Sequence, residues 1–329
     1  MKQIFIFLLL LSTFTNAQNY KGVDVIVNSY PNFSNAKDLA DKIKKDFTSE
    51  NDMVRAGFYW ISKNIRYNLE EYYNPTRKGY SFSYFTEEEK QQKLQKIKDD
   101  LVANTFKFKK GICEEYAQSL KKIYDLLEIE SEVIKGNVRN NVSEIGKIKF
   151  STNHAWNIVK LNNKWIILDA TWAAGYIYNG KWKKDFDDYY YDIPKEKIFK
   201  THLPEDAVWV LRFGRITKEE FYFQPIYKRG ILKSNVELLK PNNGIIYAKS
   251  SEDIVLKFKN LDSKIKLFYM IDGEKYAKTP QVKISNNITT VIIKNPNRDT
   301  NLNFYSSNTK KNKGNYLFEN MIHFKINIL

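Results

Sequence analysis

Cys113 is the only thiol in this chain, and His154, His202 and His323 are the only imidazoles. A thiol that acts as a nucleophile needs a base to take its proton, and that base works best when a carboxylate fixes its tautomer. Two stretches offer such a set: KKGICEEYAQSLKKIYDLL from Lys109, and NHAWNIVKLNNKWIILDATW from Asn153. In the first, Cys113, Tyr116, Ala117, Leu120, Ile123, Tyr124 and Leu127 recur at helical intervals, which puts Cys113 on the buried face in the first turn. Gly111 supplies the turn before it and lets backbone approach closely. The positive end of a helix dipole favours thiolate, but Glu114 and Glu115 oppose it, so a cationic partner is required.

The second stretch reads as a hairpin turning at Asn162-Asn163. With a two-residue turn, Leu161 pairs with Lys164, Trp156 faces Asp169 and His154 faces Thr171. His154 and Asp169 then share one face as diagonal neighbours, and one residue more or less in the turn would separate them. The carboxylate can hold one ring nitrogen while the other takes a proton from the thiol. Taken singly, each residue has a plainer reading: Cys113 as a small buried hydrophobe, His154 as a strand end, Asp169 as a turn cap.

The elements that must position these groups change in character along the chain. From Ser34 to about Leu127 helical patterns dominate. Asn35 is a candidate N-cap for a helix carrying Leu39, Ile43 and Phe47, and NDMVRAGFYWISKNIRY puts Val54, Phe58, Ile61 and Ile65 on one face. Residues 72–83 read as loop and Thr86 to Ala103 as helix. After about Ser131 the period becomes two, with SEVIKGNV, HAWNIVKL and KWIILDATW as strands. Past Tyr227, strand follows strand between turn residues, which suggests a β-sandwich. Residues 227–329 are therefore read as a β-sandwich domain and residues 18–226 as the domain holding the candidate site.

Residues 1–17 read as a secretory signal peptide: Lys2, an apolar run from Ile4 to Leu11, then Thr15-Asn16-Ala17 as the cleavage site. A secreted or periplasmic protein is expected. An unpaired cysteine is a liability in an oxidising compartment, which makes a functional thiol the better reading. The chain has 329 residues, room for two domains, and a formal charge of +15. Its lysines are scattered singly or in pairs among acids, so a nucleic-acid partner is not expected; an anionic cell-envelope surface is a candidate. No later run is long enough to span a bilayer. One cysteine and three scattered histidines have no metal-ligand spacing, and no phosphate-binding glycine motif occurs, so neither metal nor cofactor is expected. His202, in THLPEDAVWVL, either lines the cleft or supports the fold with Trp209, and His323 reads as a strand residue. Tyr72, Tyr73, Tyr80, Tyr84, Tyr176 and Tyr178 fall in or beside loops, where they either line a substrate groove or pack locally.

Taken together, GICEEYA, NHAWN and LDATW resemble the three core motifs of the transglutaminase-like superfamily, in their usual order. The flanking RAGFYWISKNIRY and DDYYYDIPKEKIFKTHLPEDAVWVL resemble bacterial and kyphoscoliosis-peptidase-type members, so the likeness runs over about residues 35–225. The resemblance implies a papain-like α+β core, its cysteine helix packed on an antiparallel sheet bearing His and Asp, here followed by the all-β sandwich. It also implies that Cys113 is the nucleophile, His154 the general base and acid, and Asp169 the orienting carboxylate, acting on a peptide or protein substrate. Animal transglutaminases carry tryptophan directly after the cysteine, where this chain has Glu114. Asp185, Asp187, Asp188 and Asp192 lack EF-hand spacing and its glycine. Both departures favour hydrolysis by a peptidase or amidase over calcium-dependent crosslinking. A non-catalytic secreted peptide-binding or adhesion module is the alternative.

Overall fold

The computed structural model describes residues 20–76, 81–307 and 318–329, so the expected leader and Tyr80 lie outside the described residues. The first half is helical, as its periodicity predicts. Helix α1 (Lys21–Asn28) is followed by α2 (Ala36–Asp46), which Asn35 caps by accepting the Asp38 N–H at 2.8 Å. In α3 (Glu50–Asn64) the stripe of Val54, Phe58 and Ile61 is fully buried, but so is every residue from Val54 to Ser62. A single apolar face underestimates this helix, because α1, α2 and later helices surround it.

Two-residue strand β1 (Arg66–Tyr67) leads into α4 (Leu69–Tyr73). This short helix corrects the reading of 72–83 as loop from its first residue, since five residues are too few to display a period. Thr86 caps α5 (Glu87–Phe108) through the Glu89 N–H at 3.1 Å. The chain then reverses at Lys109, which adopts a left-handed φ of 51°. Strand β2 (Lys110–Gly111) runs parallel to β1, pairing Tyr67 with Gly111, and delivers the chain to α6 (Cys113–Leu126).

Helix α6 packs against the central sheet of β3 (Ser131–Val138), β4 (His154–Leu161) and β5 (Lys164–Leu168). Beyond β5 come α7 (Ala170–Ala174), the hairpin of β6 (Gly175–Tyr178) and β7 (Lys181–Lys184), and β8 (His202–Pro204). The sheet is antiparallel in the order β5-β4-β3-β8. Val159, Leu161 and Leu168 join the helical core on one side, while Trp156, Ile158 and Ile167 form a second core on the other. Gly136 on β3 is obligatory, since a Cβ there would lie 2.2 Å from the Leu203 carbonyl oxygen on β8.

After α8 (Ala207–Phe213) and α9 (Lys218–Phe223), β9 (Ile226–Tyr227) and α10 (Arg229–Leu232) lead into the β-rich part. One sheet contains β10 (Glu237–Lys240), β12 (Ile254–Lys259), β15 (Ile288–Ile293) and β14 (Gln281–Ser285) in that spatial order. The other contains β11 (Ile245–Ala248), β17 (Glu319–Ile328), β16 (Thr300–Ser307) and β13 (Lys266–Ile271), with β9 also paired to β17. Their inner faces meet in a buried core where Phe258 stacks on Phe304 at 5.4 Å, the packing of a β-sandwich. The fold class is α+β with an all-β tail. Lys325 Nζ donates to the Ile145 carbonyl at 2.6 Å, and Lys197 Nζ to those of Leu232 and Ser234, tying the β-rich part to the rest.

Candidate active site

Cys113 opens α6, half-buried, directly after a glycine that this geometry requires: a Cβ on Gly111 would lie 2.5 Å from that of Glu115. The two acids that follow are both engaged away from the sulfur. Glu115 accepts the Ile112 N–H at 3.1 Å; Glu114 accepts from Gln118 at 3.0 Å and faces Lys135 at 3.7 Å.

The hairpin has the register expected of its turn, with Leu161 opposite Lys164 and Asn157 opposite Leu168. Asn162 and Asn163 both take positive φ, as a tight hairpin turn demands. The strand does not continue to Thr171, however. Strand β5 stops at Leu168 and Asp169 caps α7, its Oδ1 accepting the N–H groups of Thr171 at 2.9 Å and Trp172 at 3.0 Å. Thr171 therefore sits in a helix rather than opposite His154, because the cap satisfies backbone donors that a strand would have paired across the sheet. The cap and the histidine partner are one residue: Asp169 Oδ2 lies 2.7 Å from His154 Nε2. That leaves Nδ1 for Cys113, whose side chain is among the neighbours that raise the His154 pKa.

A third group joins them. His202 on β8, fully buried, places Nε2 3.0 Å from the same Oδ2, and its Nδ1 lies 2.7 Å from Thr201 Oγ1. Strand β3 spans the gap, pairing Gly136 with His154 on one side and Val138 with His202 on the other. Of the two roles the sequence leaves open for His202, its place is beside the site. Its only sequence signal is membership of THLPED; no spacing relates it to His154, since strand pairing across β3 is non-local.

Charge separates the two imidazoles. Burial opposes a charged His154, but the Asp169 carboxylate and the Cys113 contact outweigh burial and raise its pKa to about 10. Burial likewise works against the Asp169 anion, yet His154 and then His202 hold its carboxyl well below the usual range. For His202 burial prevails, with His154's charge acting in the same direction, and its pKa falls below the ordinary value. His202 is thus neutral and His154 cationic. Aromatic rings close the site: Trp172 lies 4.8 Å from His202 and 5.8 Å from His154, and Trp156 meets His202 edge-on at 5.0 Å. Tyr67 stacks on Trp182 at 5.4 Å and has Cys113 among its electrostatic neighbours.

Among the described residues, His154, Asp169 and His202 are the group whose donor atoms lie close enough to share a cation, within 4.8 Å of one another. The hydrogen bonds account for the nitrogens they present to Oδ2, and a cation there would have to displace both protons. The acidic run lies elsewhere: Asp187 and Asp185 pair with Arg229, Asp187 also with Lys233, and Asp188 with Arg55. His323 sits on β17 with Asn320 as partner at 3.2 Å. Trp209 packs on Trp165. Tyr72, Tyr73, Tyr84, Tyr176 and Tyr178 are all exposed. A cavity of about 510 Å³, whose walls include Asn68, Asp100, Lys110 and Glu115, borders the β1–β2 pair that precedes Cys113.

Residues 37–170, which include Cys113, His154 and Asp169, match the transglutaminase-like superfamily. The match covers about two fifths of the chain and supports a transglutaminase-like core in the segment that carries the candidate site. Kyphoscoliosis peptidase from Homo sapiens is 20% identical over 238 residues, 69% of this chain and 33% of that protein. The Mus musculus protein of the same name is 21% identical over 222 residues, 64% of this chain and 30% of that one. The chain spans about a third of the length of these curated relatives. A crystal structure of a TGase shares 16% identity, covering 55% of this chain and 40% of that one, at a TM-score of 0.29. No helix among the described residues is long and apolar enough to cross a membrane.

Proposed function

We propose that this protein is an exported, cysteine-dependent acyl-transfer enzyme acting on amide bonds of peptides or proteins. Cys113 is the nucleophile, His154 the base and then the acid, and Asp169 the carboxylate that orients it. The observation that carries this reading is a single imidazole bonded through Nε2 to a buried carboxylate and with the only thiol in the chain among its interacting neighbours. With the Cys113 proton already resting on His154 Nδ1, the thiolate Sγ attacks the carbonyl carbon while the C=O pair moves onto oxygen. The Cys113 backbone N–H, free of an intrahelical partner at a helix start, is placed to receive that oxyanion. As the C–N bond breaks, His154 returns the proton to the leaving amine and a thioester remains.

Water, deprotonated by His154, then releases the acid. A second amine in place of water would give a crosslink. We favour water, because Glu114 stands where animal transglutaminases carry tryptophan and Asp185, Asp187 and Asp188 are committed to arginine and lysine. The peptidase relatives named above support the same choice. Export rests on the leader-like residues 1–17.

The test is mass spectrometry of the purified protein after incubation with a complex peptide mixture, with and without a fluorescent primary amine. A mass adduct on Cys113 and new peptide termini are expected, both abolished by Cys113→Ala. Amine incorporation without new termini would replace hydrolysis by transamidation. Identical product patterns from wild type and Cys113→Ala would refute the reading altogether.

A further inference from the structure

The Asp169 carboxylate is a hub with a full set of donors. Two backbone N–H groups of α7 hold Oδ1, and two imidazoles converge on Oδ2. Only one of those imidazoles reaches the thiol. The other, His202, is wholly buried, and its second nitrogen is occupied by Thr201, itself 1% exposed. A histidine that merely filled space would need neither contact.

We propose that His202 is a positioning residue: as a neutral donor of fixed tautomer, it pins Asp169 Oδ2 in the orientation that holds His154 against Cys113. This rests on the acyl-transfer reading above and extends it to a fourth side chain outside the matched region. The tautomer follows from the contacts. Facing a carboxylate, Nε2 must carry the proton; Nδ1 is then an acceptor, and the Thr201 hydroxyl donates to it. Thr201 thus selects the tautomer of His202, as Asp169 selects that of His154. Neutrality matters because a second cation on Oδ2 would compete with the imidazolium for the same charge. Burial among Trp156, Trp172 and the β3 backbone keeps His202 uncharged. Gly136 makes the arrangement reachable, since only a residue without a Cβ lets β8 close on β3 at this point.

The experiment compares alkylation of Cys113 by iodoacetamide from pH 5 to 9 in the full chain for wild type, His154→Ala, His202→Phe, His202→Gln and Thr201→Val. Wild type should react well on the acid side in a His154-dependent way. His202→Phe, which keeps the ring shape and loses the donor, should lower that acid-side rate on the order of ten- to a hundred-fold, by analogy with the outer hydrogen-bond partners that orient metal-binding histidines and carboxylates. His202→Gln, which keeps an N–H donor, should recover most of it, and Thr201→Val should show a smaller loss in the same direction. Equal loss in Phe and Gln would assign His202 to packing and overturn the proposal, as would Phe and wild-type profiles that superimpose. If His202→Phe does not fold, Thr201→Val and His202→Gln decide: a Thr201→Val profile identical to wild type overturns the proposal. A wild-type thiol that reacts no faster than a model thiol and ignores His154→Ala would instead overturn the underlying acyl-transfer reading, a distinguishable failure.

Discussion

Asp169→Asn is the most informative single change. It keeps the volume of the side chain and its cap on α7, since the amide oxygen can still accept from Thr171 and Trp172. It removes the charge and turns an NH2 towards two imidazole nitrogens that already carry protons. The gap between about 10 and the ordinary 6.5 for His154 corresponds to about 5 kcal/mol, at about 1.4 kcal/mol for each tenfold. Asp169 is the chief source of that gap, acting against burial. Without it burial goes largely unopposed, and His154 drops below 6.5 and is neutral at pH 7. It must also move its proton to Nδ1, the nitrogen that should accept from the thiol. In a serine-protease triad the same exchange costs on the order of 10⁴ in kcat through the wrong tautomer, and a loss of that order is expected here. The assay is turnover of a peptide cleaved in the mass-spectrometry test proposed for Cys113, together with imidazole ¹⁵N shifts against pH. His154 that remains cationic at pH 8 in Asp169→Asn, or turnover within tenfold of wild type, would refute the reasoning. Stability carries a matching signature. The contribution of the raised His154 is complete below about 6.5 and fades as pH rises through about 10, while that of the lowered Asp169 is complete above about 3.8 and fades as Asp169 protonates. Asp169→Asn should abolish both limbs in urea titrations.

Gly136→Ala would place a methyl 2.2 Å from the Leu203 carbonyl and 2.6 Å from the Trp156 ring. It should cost about 3 kcal/mol in chemical denaturation and lower Cys113 reactivity by moving β8. Arg55 is buried and forks onto Asp24 at 2.7 and 2.8 Å while reaching Asp188. Arg55→Met should destabilise by about 3 kcal/mol, with Arg55→Lys failing to restore it because one ammonium cannot replace the fork. It should lower activity as well, since the turn anchored by Asp188 ends at Tyr190, whose carbonyl takes the Asp169 N–H at 2.9 Å; unchanged turnover would separate that turn from the site.

What could be read from the sequence was local. The start of α6 follows from Gly111 and a helical stripe; the pairing of His154 with Asp169 follows from counting two residues between Leu161 and Lys164. His202 was beyond such counting because it reaches Asp169 through β3, and the pairing of β8 with β3 leaves no periodic trace in three residues. Thr171 was misplaced opposite His154 because a capping aspartate ends a strand without any change in hydropathy. The five residues of α4 were too short to be seen. The burial of α3 on every side was hidden for another reason: Arg55 and Ser62 are polar residues whose partners lie far along the chain.

The hub at Asp169 also sets a timetable. A ribosome makes Cys113 first, its base next, the carboxylate after that, and His202 last. While α6 is already able to form, the thiol has no base, because β4 and β5 have yet to pair. Even a finished hairpin leaves Oδ2 with a single histidine until β8 arrives and lies along β3. The full set of contacts on Oδ2 therefore exists only once β8 has closed on β3. A chain cut before residue 202 would contain Cys113, His154 and Asp169 but lack the second imidazole that meets Oδ2.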